Sequence, residues 1–166
     1  MRLIGDPTTL ALELSPPDEG DTGLRAVRVF VCGTLVTDQS TQAYVPQLLR
    51  SLHADTLRAR ATPETPDTRL TGTPESVFRT LLSGSPALTG LDHCRASATA
   101  RFLDWGSPTD HLLAYLVPGP RLLCAHREGG RILATALPKH RLITTLTDAA
   151  RDLETNYTVF RDRTRT

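Results

Sequence analysis

The second half of the chain carries three short apolar runs, His111 to Val117, Arg121 to His126 and Arg131 to Leu137. Only Pro118-Gly119-Pro120 and Glu128-Gly129-Gly130 separate them. Linkers this short can join only antiparallel neighbours, because a parallel pair needs a crossover of about a dozen residues or more. The spacing therefore demands that these strands run antiparallel, as hairpins. Just upstream, Cys94, Ala96, Ala98, Ala100 and Phe102 alternate with polar neighbours, which predicts one more strand.

The first half repeats the pattern and adds helices. Leu10, Leu12 and Leu14 alternate with Ala11 and Glu13, the period of a half-buried strand. A Pro- and Gly-rich acidic stretch, 15–23, ends it, and a second strand is expected from about Leu24 to Cys32. Gly33-Thr34 permits a tight reversal into Leu35-Val36. Val45, Leu48, Leu49 and Leu52 form one helical stripe, predicting a helix over about 44–57 with Pro46 in its first turn. Arg58 to Thr73 reads as a surface loop. Thr73-Pro74-Glu75 opens a second helix through a cap residue, an early proline and a first-turn acid. Leu142, Ile143, Leu146, Ala149, Ala150 and Leu153 give a final helix its buried stripe. The expected fold is α+β: an antiparallel sheet of about six to seven strands with about three helices packed on it. One domain over 1–155 and a tail over 156–166 complete the expectation.

Composition narrows the function classes. The 166 residues carry 19 basic and 18 acidic side chains, a net charge of +1, which argues against a dedicated nucleic-acid-binding surface. Three cysteines, Cys32, Cys94 and Cys124, are an odd number without CxxC spacing, so free thiols in a reducing, cytoplasmic compartment are expected. No stretch approaches the roughly 18 apolar residues of a membrane span. Gly-rich phosphate loops and the HExxH, GxSxG and Walker motifs are all missing.

The remaining candidates for chemistry are few. Cys124 and His126 lie two apart on one strand face, which could begin a metal site or a thiol–imidazole pair, but core Cys and edge His is the plainer reading. His93-Cys94 would need a loop conformation to meet, since neighbours on a strand point to opposite faces. No catalytic residue, metal or cofactor is assigned. Two features could instead meet a protein partner. Asp18, Glu19 and Asp21 form an acidic loop tip, and Trp105, the only tryptophan, is either packed in the core or an exposed anchor.

The opening Ile4-Gly5-Asp6-Pro7 turn, leading directly into the alternating strand Leu10 to Leu14, resembles the start of the Imm42 family of bacterial immunity proteins. The following strand, the hairpin at Gly33, the Leu48/Leu49/Leu52 helix and the closing hairpins and helix are similar in order, so the resemblance spans Leu3 to about Leu153. The enlarged Pro/Thr-rich stretch 58–73 and the scarcity of aromatics in the early strands depart from it. The resemblance implies a protein encoded beside a polymorphic toxin, which binds that toxin and neutralises it stoichiometrically in the cytoplasm, without nucleic acid or membrane as partner. Gly5, Asp6 and Pro7 are read as structural, setting the register of the first strand. Two rivals of other classes remain: a small cysteine/histidine-dependent enzyme, and a non-catalytic regulatory binding module.

Overall fold

The computed structural model describes residues 1–16, 23–37, 42–83, 100–127 and 129–163, with side chains except at 83 and 158–163. Among the described residues it contains nine strands and three helices. In chain order these are β1 (Arg2–Asp6), β2 (Leu10–Leu14), β3 (Leu24–Val31), β4 (Thr34–Leu35), β5 (Gln42–Tyr44), α1 (Val45–Ala61), α2 (Pro74–Ser83), β6 (Arg101–Phe102), β7 (Leu112–Val117), β8 (Arg121–His126), β9 (Leu133–Ala136) and α3 (Lys139–Arg163). The class is α+β and every strand pair is antiparallel, as the short linkers require. The strands divide into two sheets: β1-β2-β3-β4, with β5 also on β3, and β6-β7-β8-β9.

The division follows from burial. β7 is buried at five of its six positions and β8 at four of six, so neither alternates cleanly. Strands read this way when both faces are covered. Leu112, Ala114, Leu116, Leu122 and Cys124 face a large core shared with Leu10, Leu12 and Leu14 of β2, Val27, Val29 and Val31 of β3, and the apolar stripes of α1 and α3. On the opposite face, Tyr115, Val117, Leu123 and Ala125 pack with Val77, Phe78 and Leu81 of α2 and with Leu70. The Phe78 and Tyr115 rings meet edge to face at 5.5 Å, a favoured aromatic geometry.

Two turns lock the near end of the first sheet. The Asp6 carboxylate accepts from the Thr8 backbone N–H (2.9 Å) and the Thr8 hydroxyl (2.6 Å), an Asx-type turn. These bonds hold its pKa below the usual carboxylate range. Gly5 has φ +96°, and a Cβ there would stand 2.5 Å from the Leu10 carbonyl oxygen and 2.8 Å from the Thr145 methyl of α3. Only glycine fits. Cys32 and Gly33, both at positive φ, make the two-residue reversal between β3 and β4. Their N–H groups donate back to Thr9 O (3.1 Å) and Pro7 O (2.7 Å), so the β1–β2 and β3–β4 turns are bonded to each other.

Several boundaries differ from the sequence expectation. α1 continues to Ala61, so the first four residues of the expected 58–73 loop are helix. The rest of that stretch is tied down: Leu70 is buried, Arg121 donates to Leu70 O at 2.8 Å, and Gly119 N–H donates to Pro63 O at 3.0 Å. The Lys139 ammonium donates to Thr62 O at 2.9 Å, closing the end of α1 onto the start of α3. α3 runs through Arg163, so most of the expected 156–166 tail is helical. Of the strand expected over Cys94 to Phe102, only Arg101–Phe102 is strand; Ala100 is helical, and 84–99 lie outside the described residues.

Candidate partner-binding surface

The possible catalytic pairs can be placed first. Cys124 and His126 do share a face of β8, but Cys124 is fully buried, and burial pushes its thiol up to about 12. A thiol that stays protonated at neutral pH is a poor nucleophile and a poor metal ligand. His126 stands at the exposed end of the strand and stacks on His111, with ring centroids 5.1 Å apart and planes 23° apart. His111 Nε2 in turn lies 2.8 Å from Val36 O, bridging the two sheets. His93 and Cys94 lie outside the described residues. Among the described residues no group of three or more His, Cys, Asp or Glu gathers as a metal site would require, and no helix is long and apolar enough to cross a membrane.

Of the two readings of Trp105, core packing holds and the exposed partner anchor is corrected. The Trp105 side chain is 1% exposed and offers no surface to a partner. The indole N–H donates to Asp55 Oδ2 at 2.8 Å, and the same oxygen accepts from Leu103 N–H at 3.0 Å. Arg58 donates to Asp55 Oδ1 at 2.8 Å. A buried indole needs such an acceptor, and a carboxylate on the inner side of α1 supplies it. Burial raises the Asp55 pKa, while the bonds from Trp105, Arg58 and Leu103 pull it back. Asp55 escaped the sequence reading. Its signal was an acid on the helical stripe, three residues after Leu52 and four before Ala59.

The acidic loop residues Asp18, Glu19 and Asp21 lie outside the described residues, but the strand that leaves them is well placed. Val45 N–H donates to Gly23 O at 2.8 Å, and Leu24 pairs with Tyr44 across β3 and β5. Gly23 has φ +89°, and a Cβ there would lie 3.2 Å from the Tyr157 ring and 3.5 Å from the Tyr44 ring. Two tyrosines from α3 and β5 thus gather around one glycine. Tyr44 is 51% exposed and Leu24 37%. Exposed tyrosine beside an apolar neighbour is the kind of surface that anchors protein complexes. Tyr44 was missed because β5 is only three residues long and shows no period.

Two other surfaces carry charged pairs. On the solvent side of the first sheet Arg28 pairs with Glu13 at 2.7 Å and lies over the Phe30 ring at 5.4 Å. Between α1 and α3 a cleft of about 390 Å³ is lined by His53, Leu57, Arg60, Arg151 and Glu154 among others, with His53 Nε2 3.1 Å from Glu154.

No family model matches this chain, and no curated protein sequence does. Among solved structures it is similar to the crystal structure of CdiI from Burkholderia dolosa AUO158. The TM-score is 0.62 at 17% identity, over 91% of this chain and 99% of that one. The likeness is one of fold.

Proposed function

We propose that this chain is an immunity protein, which binds a cognate bacterial toxin and neutralises it by one-to-one occlusion rather than by catalysis. The observation that carries the reading is the likeness of fold, over 91% of this chain and 99% of that one, to CdiI, an immunity protein of contact-dependent inhibition. The Ile4-Gly5-Asp6-Pro7 opening supports the same reading through its resemblance to the Imm42 family, and membership of that family is part of the proposal. The protein would act in the cytoplasm of the toxin-producing cell. Asp18, Glu19 and Asp21 would steer the toxin, while Leu24 and Tyr44 beside that loop supply the dehydrated contact. Gly5, Asp6 and Pro7 would shape the first hairpin without touching the toxin.

Tight inhibitory pairs bury about 1,600 Å² in total, with a few anchors carrying most of the energy. An exposed tyrosine beside an apolar residue fits that anatomy. The test is co-purification with the toxin domain encoded beside this gene, together with rescue of growth when both are expressed. Failure of both overturns the proposal. Turnover of a small molecule that depends on one thiol or imidazole would favour the enzyme reading instead.

A further inference from the structure

β1 is the end strand of its sheet. β2 pairs with one side of it, and among the described residues no strand pairs with the other. An open edge is a row of unpaired backbone donors and acceptors, which proteins usually blunt with charge, proline or a covering segment. This edge has charge only at its ends, Arg2 and Asp6, and exposes Leu3 at 50% and Met1 at 59%.

The order of residues on the edge is self-complementary. β1 reads Arg2-Leu3-Ile4-Gly5-Asp6, a cation at one end and an acid at the other, with Ile4 at the centre. Laid antiparallel against a copy of itself about a twofold axis at Ile4, the strand sets Arg2 opposite Asp6 twice. Leu3 then falls opposite Gly5, which carries no side chain to oppose it. Directly opposite residues in such a ladder bring Cβ positions to about 5 Å, close enough for the charges to pair. A parallel arrangement in register would set arginine beside arginine and aspartate beside aspartate.

Both charged groups keep capacity for a second partner. The Arg2 side chain is 72% exposed and reaches Asp152 of α3 through Nη1, one arm of a five-donor fork. Asp6 takes both Thr8 bonds on Oδ1. Arg2 pairs with Asp152 and Asp6 feels the charge of Arg141, both residues of α3, so the two ion pairs would flank the central isoleucines on the helix side of the sheet.

We propose that β1 pairs antiparallel with β1 of a second copy, about a twofold axis at Ile4, joining two five-stranded sheets into one. An isologous contact of this kind closes on itself and stops at the dimer. A single strand pair covers less than the roughly 1,200–2,000 Å² of a stable interface, so association is expected at high micromolar concentration. The proposal stands apart from the toxin reading and survives its failure.

Sedimentation of the full chain through the micromolar range should show the weight-average mass rising toward twice the monomer. Leu3→Lys places a charge on the edge, and Arg2→Asp sets acid opposite Asp6. Each should weaken the dimer about tenfold or more, with unchanged circular dichroism. In the unmodified chain, exchange of β1 amides should slow as concentration rises, a readout that needs no variant to fold. A monomer with concentration-independent β1 exchange overturns the proposal. So does a dimer that both folded variants leave intact, or a monomer whose Leu3→Lys variant loses only toxin binding.

Discussion

The Trp105 indole donates to Asp55 at 2.8 Å, joining two residues 50 apart in sequence and each 1% exposed. This bond fastens α1 to the connection between β6 and β7, and hence the helical layer over the first sheet to the second sheet. Trp105→Phe keeps most of the buried area and removes the donor. It should cost about 1–3 kcal/mol, the usual range for a buried polar group losing a partner. Urea unfolding, with the midpoint shifted at constant slope, is the measurement.

Asp55 also sets a pH dependence. Because its folded pKa is raised, it binds a proton more readily folded than unfolded. Its contribution is most favourable below the ordinary carboxylate pKa and is lost as pH rises through the folded pKa. Asp55→Asn removes that dependence. The stability of the parent relative to Asp55→Asn should therefore fall as pH is raised from the acid side toward neutrality. A constant difference across that series would show that burial does not govern this carboxyl. Asp6 and Asp67, whose pKa values are lowered by bonds from Thr8 and Arg69, act in the opposite sense and lose their contribution as pH falls.

Gly5→Ala tests the opening turn. The new Cβ would meet the Leu10 carbonyl, which is backbone and cannot swing aside, at a φ that L-residues rarely adopt. A loss of about 2 kcal/mol or more is expected from strain of this kind. Asp6→Ala should lower the melting temperature while leaving affinity per folded molecule unchanged. A stable Asp6→Ala protein that no longer binds the toxin would move this residue into the interface.

The tyrosine surface can be tested against the acidic loop. Tyr44→Ala should raise the toxin Kd about tenfold or more, about 1.4 kcal/mol, chiefly through faster dissociation. Reversing the charges of Asp18, Glu19 and Asp21 should slow association at low salt and matter little at high salt. An unchanged association rate at low salt removes the loop from the interface.

Thiol labelling gives an independent check on the core. Cys124, buried and held protonated, should react with a thiol reagent only as fast as the protein opens. Cys32, half-buried with its own pKa raised by burial, should react sooner.

How much of this could be read beforehand depended on whether the signal was local. The β7–β8 and β8–β9 hairpins are written in turn residues, so their antiparallel pairing was legible. α1 and α3 were legible from their stripes and α2 from its opening Thr73-Pro74-Glu75, but α1 was expected to stop early, because its last turn is mostly Arg58, Arg60 and small residues. Its hydrogen bonds continue where its apolar period fades. β1 escaped because only Ile4 of its five residues is buried, leaving no alternation to see. The split into two sheets escaped because no local rule reports that β7 and β8 are covered on both faces. In the candidate surface, Asp18, Glu19 and Asp21 stood out as charge, whereas Leu24 and Tyr44 become neighbours only through the β3–β5 pairing.

The wrapping of β7 and β8 between the main core and α2 constrains how this molecule can change. A hairpin with no solvent-facing side leaves almost no position where a polar replacement is harmless. Change is then best tolerated at the periphery, at exposed positions such as Leu24 and Tyr44 and on the outer turns of α1 and α3, where side chains can be exchanged without disturbing the interior that holds them.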